Sequence, residues 1–406
     1  VSRIAEAFSL RRNVHRLLHP ARGHQGALDG LRALSVLWVV LFHVAWFARF
    51  AVPVPQFVRL VFAPWMLLIW RGDFGVDVFF VLSGFLIGGM LIDERARTGR
   101  VGLARFYLRR LLRLWPALLV LAALEIMSNH PNRRMVWWGV FYLNDMVPVA
   151  IVSIGWTWSL AIEEQFYLLC PALLRVIARF HARGRVVVIV LLMLLLIAFA
   201  AWVVLVFGFR PWDAEIIGNP NMVWWGVSFD VLYDKPWMRG GALLAGVLAA
   251  QLYRTESVMR RISNGGRSVS VCLLVAVALM AASTHWPLVV GAPRVIEVLY
   301  LASFRTVFGL SMAYIILVVL SKHPLGQRVG RALSARWLYP FSQLAYSAYL
   351  LNPMVTMAED DLLRPMLETV REPLLVLMPL NFVGTFAAAT VVHLAVERPG
   401  MHLRPR

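Results

Sequence analysis

Arg32 and His43 stand eleven residues apart in the first long apolar stretch. On a helix rising about 1.5 Å per residue that is three full turns, about 16 Å, along one face. A histidine that meets a carboxylate in a dry site can remove a proton from a hydroxyl, because its unperturbed pKa lies near neutrality and the partner fixes its tautomer. Measured inward from the outer ends of their apolar stretches, His43 lies about 10 Å deep, Glu164 about 9 Å and Asn352 about 9 Å. Three polar residues from distant segments therefore share one level, and His43 is read as the base. Glu163 and Glu164 point about 100° apart, so one of them faces the site, unless they anchor their helix by salt bridges to Arg239 or Arg305. Asp77, about 4–5 Å deep, caps backbone amides near a helix start or reaches the substrate. Tyr349 beside Asn352, and Trp158 at an outer helix end, complete the expected substrate contacts.

A second constellation is basic. Seven arginines fall between Asp93 and Arg113, and Arg105, Arg109, Arg110 and Arg113 lead into Leu114-Trp115-Pro116. This is denser than the orientation of flanking spans requires. Forked guanidinium donors suit phosphate oxygens, either of anionic lipid heads or of a phosphate-bearing substrate. The two cysteines, Cys170 and Cys272, both lie in apolar stretches and offer neither a disulfide framework nor a thiolate metal site, so no metal is expected. P-loop, GxGxxG, HExxH and GxSxG patterns do not occur, which argues against ATP use, a dinucleotide cofactor, zinc hydrolysis and an elbow serine. Ser83 reads as a packing residue.

The elements that must position these groups are membrane helices. The chain has 406 residues, 60% hydrophobic and 15% charged, with a mean hydropathy of +0.69, well above the apolar share of about 45–50% found in soluble domains. Ten stretches approach the roughly 20 apolar residues a span needs: 28–47, 74–92, 114–127, 158–178, 186–208, 236–253, 268–289, 296–321, 338–358 and 373–397. The first 27 residues are basic without a cleavable apolar run and read as a cytoplasmic arm, not a signal peptide. Placing them inside puts most basic residues in cytoplasmic segments. The expected fold is an all-α integral membrane protein, a bundle of about ten transmembrane helices with both termini cytoplasmic. Residues 1–27 form the arm, 28–397 one transmembrane domain and 398–406 a tail. The formal charge of +18 is thus a topology signal and does not call for nucleic acid. Segments 129–155 and 210–235 face outside, re-entrant or capping a cavity. Tryptophans such as Trp46, Trp65, Trp137, Trp156, Trp224, Trp237 and Trp286 form an interfacial belt. Gly84 and Gly88 make a GxxxG that favours close helix packing.

Four segments taken together resemble the membrane-bound acyltransferase 3 family: Leu28-Asp29-Gly30-Leu31-Arg32-Ala33-Leu34-Ser35 running to His43, Gly75-Val76-Asp77-Val78-Phe79-Phe80-Val81-Leu82-Ser83-Gly84-Phe85, Arg105-Phe106-Tyr107-Leu108-Arg109-Arg110-Leu111-Leu112-Arg113, and Trp158-Ser159-Leu160-Ala161-Ile162-Glu163-Glu164-Gln165-Phe166-Tyr167. Val396-Glu397-Arg398-Pro399 is similar to the family's close, so the resemblance spans nearly the whole chain.

The resemblance implies transfer of an acyl group, commonly acetyl, from a cytoplasmic acyl-CoA co-substrate to a hydroxyl of a surface glycan, a glycolipid or a small molecule, by a multi-pass protein of the inner membrane. It implies a reactive centre on Arg32 and His43 and a donor contact at Arg110 and Arg113. One departure stands out. Where members often carry Tyr-Leu-x-His-x-Pro, this chain has Tyr349-Leu350-Leu351-Asn352-Pro353. If that histidine binds the acceptor, the acceptor differs here; if it acts in the chemistry, activity itself is at issue. The stand-alone form lacks the SGNH esterase-like domain fused to some members. Membrane lipid is an expected partner, and a homodimer is left open. The rival readings are a transporter or flippase of a lipid-linked or small polar substrate, whose inverted repeats are not seen, and a catalytically silent sensor or scaffold.

Overall fold

The computed structural model describes residues 6–20, 25–51, 66–214, 222–367, 369–370 and 373–404. Trp65, parts of the N-terminal arm and tail, and residues 215–221 of one outer segment lie outside them. All regular structure among the described residues is helical. Among the described residues ten helices reach 18 residues: α1 Gly26–Ala51, α2 Phe74–Thr98, α3 Leu103–Met127, α4 Trp158–Ile177, α5 Ala182–Phe207, α6 Pro236–Tyr253, α7 Gly266–Ser283, α8 Arg294–Val319, α9 Leu338–Leu367 and α10 Pro373–Val392. Each overlaps one expected stretch. The third, expected at 114–127, begins eleven residues earlier because its arginines continue the helix.

Among the described residues, six helical segments are long and apolar enough to cross a membrane: Gly26–Ala48, Met66–Thr98, Ala182–Phe207, Gly266–Ser283, Arg294–Val319 and Pro373–His402. α3, α4, α6 and α9 are not among them, and these are the helices that carry Arg105 to Arg113, Glu163 and Glu164, Arg239, and Asn352. Ala182–Phe207 has a mean hydropathy of 3.2 yet is only 22% buried within the protein. Its Leu191, Leu194, Leu195 and Trp202 face outward. A helix apolar on all sides and uncovered by protein needs hydrocarbon around it. The described helices thus support a multi-pass membrane protein.

The chain forms two compact units: Val1–Val76 with Gly102–His130 and Leu333–Arg406, and Asp77–Val101 with Pro131–Ala332. In the first, α1 packs along α9, and α9 along α10. A Cβ on Gly30 would fall 1.9 Å from the Leu333 carbonyl oxygen, and one on Gly72 would fall 2.3 Å from that of Trp38, so backbone meets backbone only because both residues are glycine. The end of the chain is tied in by a buried polar knot. Glu397 Oε2 accepts from Ser347 at 2.8 Å and from His393 Nδ1 at 2.8 Å. Arg398 donates to His393 Nε2, Gln343 and the carbonyl of Arg16. The family-like close at 396–399 is therefore a fastener between the N-terminal arm and the last helices.

In the second unit α6 packs on α8, and α5 and α7 flank them. Gly84 on α2 and Gly246 on α6 let the two backbones touch: a Cβ on either would fall 2.0 or 2.2 Å from a carbonyl oxygen of the other helix. Gly88 lies against Val247. The expected GxxxG approach is thus made with α6. The two segments expected outside are laced together. Lys235 Nζ binds the Asp145 carbonyl and Asp234 Oδ1, and Asp230 Oδ1 accepts from the amide of Val149.

Candidate functional site

His43 sits in the fifth turn of α1, and α9 brings Asn352 to it: Nδ1 of the imidazole lies 3.0 Å from Asn352 Oδ1. The ring of Tyr349, one turn earlier on α9, is 6.3 Å from the imidazole centroid. Asn352 is fully buried, and its amide is spoken for on both ends. Nδ2 donates to Asn381 Oδ1 at 2.7 Å and to Thr385 Oγ1 at 3.1 Å, both on α10. Asn381 in turn donates through Nδ2 to Thr356 Oγ1 at 2.8 Å and to Glu359 Oε2 at 3.0 Å.

The direction of this chain follows from its last member. Glu359 Oε2 takes the NH₂ end of Asn381, which leaves the Asn381 oxygen for Asn352. The Asn352 NH₂ then faces Asn381, its oxygen faces His43, and the His43 proton resides on Nδ1. Hydrogen positions and amide orientations are assigned from such networks, and here every link agrees. Nε2 carries the lone pair. The carboxylate at the end of this chain is Glu359, two amides removed from the imidazole, and not the Glu163 or Glu164 expected from the sequence.

Arg32 lies in the second turn of α1 and pairs with Asp29 at 3.1 Å, about 16 Å of helix from His43. On α3 Arg105 is exposed, and Arg109, Arg110 and Arg113 are half-buried. The short helix Arg398–His402 lays Gly400 against the Leu112 carbonyl and Pro116, which sets Arg404 among these arginines. Burial, with the guanidinium groups of Arg113, Arg110 and Arg109 nearby, pushes Arg404 down to about 10. A cluster that disfavours its own charge this far is one an anion would relieve.

The remaining expected residues belong to the second unit, in two clusters. Asp77 is completely buried and takes both arginines on Oδ2, Arg239 at 2.8 Å and Arg305 at 2.7 Å. Trp158 lies under the Arg239 guanidinium, 4.7 Å from the ring centroid, and Tyr233 at 4.3 Å. Trp158 is 4% exposed, so the ring expected as an open platform is enclosed. Both arginines thus pair with Asp77. Glu163 Oε1 accepts the hydroxyls of Ser83 and Tyr167, and Glu164 is half-buried. The fully buried doublet of positive charge around one carboxylate is tempered by the faces of Trp158, Tyr233 and Phe304.

Asn381, Thr385, Thr356 and Glu359 were not singled out from the sequence. Asn381 and Thr385 are four residues apart on one face of a strongly apolar helix, and that spacing was the available signal. Arg404 had none, since a short terminal helix decides its place.

The sequence model of a family described as an acyltransferase domain matches residues 25–398. The O-acetyltransferase OatA of Staphylococcus aureus (strain NCTC 8325) is 28% identical over 360 residues, covering 80% of this chain and 49% of OatA. A putative O-acetyltransferase of S. aureus (strain COL) is 33% identical over 165 residues, covering 36% of this chain and 24% of that protein. The chain thus spans about half the length, or less, of these curated relatives. No solved structure matches it.

Proposed function

This chain belongs to the acyltransferase 3 family, and from that premise we propose that it is an integral membrane O-acyltransferase. It moves an acyl group, acetyl by the names of its relatives, from a cytoplasmic acyl-CoA to a hydroxyl of a cell-surface glycan or glycolipid in the inner membrane. The observation that carries this reading is the one-way hydrogen-bond chain from Glu359 through Asn381 and Asn352 to His43.

In the proposed reaction Nε2 of His43 takes the hydroxyl proton as the acceptor oxygen attacks the thioester carbonyl. The tetrahedral adduct collapses, the C–S bond breaks, and the leaving thiolate of coenzyme A takes up a proton. Positioning and general-base catalysis of this kind are each worth orders of magnitude, the latter about 10²–10⁴-fold. Arg109, Arg110, Arg113 and Arg404, with Arg105 at the rim, hold the donor's phosphates through charge-assisted hydrogen bonds. Arg32, at the helix start and three turns from His43, steadies the donor's long arm, since the carbonyl must lie at His43. Tyr349 and Asn352 border the acceptor. By the resemblance Asn352 stands at the place of the family's usual histidine, and its oxygen supplies the acceptor atom that sets the His43 tautomer.

The test uses inverted membrane vesicles carrying the protein, supplied with radiolabelled acetyl-CoA. Alkali-labile label should accumulate in vesicle-bound glycan or glycolipid above vesicles without the protein. Equal label in both would refute the proposal.

A further inference from the structure

The ends of α2 and α4 and the start of α5, all in the second unit, enclose a cleft of about 540 Å³. Arg95, Arg100, Arg175 and Arg185 line it, and no acidic residue does. Its other wall is apolar, with Leu91 and Leu174 buried behind it. Among the described residues the side chains of Arg95, Arg100 and Arg175 make no hydrogen bond or ion pair, and Arg185 gives only Nε to the Phe180 carbonyl at 2.9 Å. Gly99, at φ +72°, turns the chain so that Arg100 joins the rim.

The level of the cleft is fixed by the helices that form it. Arg95 follows the apolar run of the span Met66–Thr98, and Arg185 immediately precedes the apolar body of the span Ala182–Phe207. The cleft is therefore at the boundary where hydrocarbon gives way to headgroups, with guanidinium donors on one side and apolar wall on the other. Four cations there without a protein counter-charge match an anionic headgroup phosphate, and the apolar wall matches the chains attached to it. A soluble phosphate ester has no use for that wall.

We infer that this cleft is a binding site for an anionic phospholipid, separate from the arginines of α3. It stands independently of the proposed transfer reaction.

The experiment is native mass spectrometry of detergent-purified protein exchanged into micelles containing phosphatidylglycerol or phosphatidylcholine. Wild-type protein should retain phosphatidylglycerol at least tenfold over phosphatidylcholine. The triple variant Arg95→Ala/Arg175→Ala/Arg185→Ala should lose that preference, whereas Arg260→Ala/Arg261→Ala/Arg331→Ala, with the same change in net charge, should keep it. Should the triple variant fail to fold, the exposed single variant Arg175→Ala and displacement of the lipid by high salt carry the same test. Retention unchanged by the cleft substitutions would overturn the inference. So would weakened acetyl-CoA binding in the triple variant with lipid retention intact, because the phosphate in the cleft would then be the donor's.

Discussion

Nδ1 of His43 and Oδ1 of Asn352 lie 3.0 Å apart across the packed faces of α1 and α9, and the amide cannot turn round without breaking its bonds to Asn381 and Thr385. The imidazole is thereby held with Nε2 as its basic nitrogen, by a chain of two amides that ends at Glu359.

Glu359→Gln tests that directionality. Glutamine can donate as well as accept, so the amides lose their single sense and His43 its fixed tautomer. We expect the maximal rate of transfer to fall by about 10²-fold, the scale of a small misplacement of a catalytic group, with little change in the donor's KM. Steady-state kinetics in vesicles separate the two. A change confined to KM would contradict the orienting role.

The arginine cluster should show opposite signs in binding and in stability. Arg404→Ala removes a buried guanidinium that is disfavoured by burial and by Arg113, Arg110 and Arg109, so the thermal stability of unliganded protein should not fall. Donor affinity should fall about tenfold or more, as for loss of a charge-assisted hydrogen bond of about 1.5–3 kcal/mol. Calorimetry with acetyl-CoA, and with dephospho-CoA as control, reads the second quantity. Arg110→Glu/Arg113→Glu should weaken the donor further.

Asp77 balances two arginines, so substitutions around it should be unequal. Asp77→Asn removes the buried carboxylate that Arg239 and Arg305 share, a change of the kind that costs about 3–5 kcal/mol. Arg239→Met leaves the Asp77–Arg305 pair intact and should cost less. Thermal unfolding in detergent orders the two variants, and the reverse order would refute the charge balance.

Asp234 gives a pH dependence. Burial raises its carboxyl from 3.8 to about 7 against the pull of Lys235. A group raised in the folded state contributes its stability below the unfolded value and loses it as pH rises through the folded one. Stability should therefore decline between pH of about 4 and about 7, and Asp145 and Asp230, also raised by burial, act in the same sense. Asp234→Asn, uncharged throughout, should flatten the decline in thermal scans taken across that range.

The contact between His43 and Asn352 was legible because helical rise converts sequence position into depth, and two polar residues at one depth in apolar helices have reason to meet. The all-helical, membrane-type character of the chain was legible in the same way, through runs of apolar residues, although six described helical segments, not ten, are long and apolar enough to cross a membrane. Pairing was not. Depth could not decide whether Asp77, Glu163 or Glu164 would receive Arg239 and Arg305, because that depends on which helices approach closely. Gly84 and Gly246 bring α2 to α6, and both arginines pair with Asp77. Asn381 and Thr385 were hidden by their surroundings, two polar residues in a helix whose average is strongly apolar. Arg404 depends on Gly400 resting on α3, a tertiary contact without a sequence period.

The most direct measurement is single-turnover transfer of label from radiolabelled acetyl-CoA in vesicles carrying His43→Ala, with donor binding measured on the same preparation. Transfer should drop by about 10²–10⁴-fold while the donor still binds. Transfer at the wild-type rate with full donor occupancy would contradict His43 as the base.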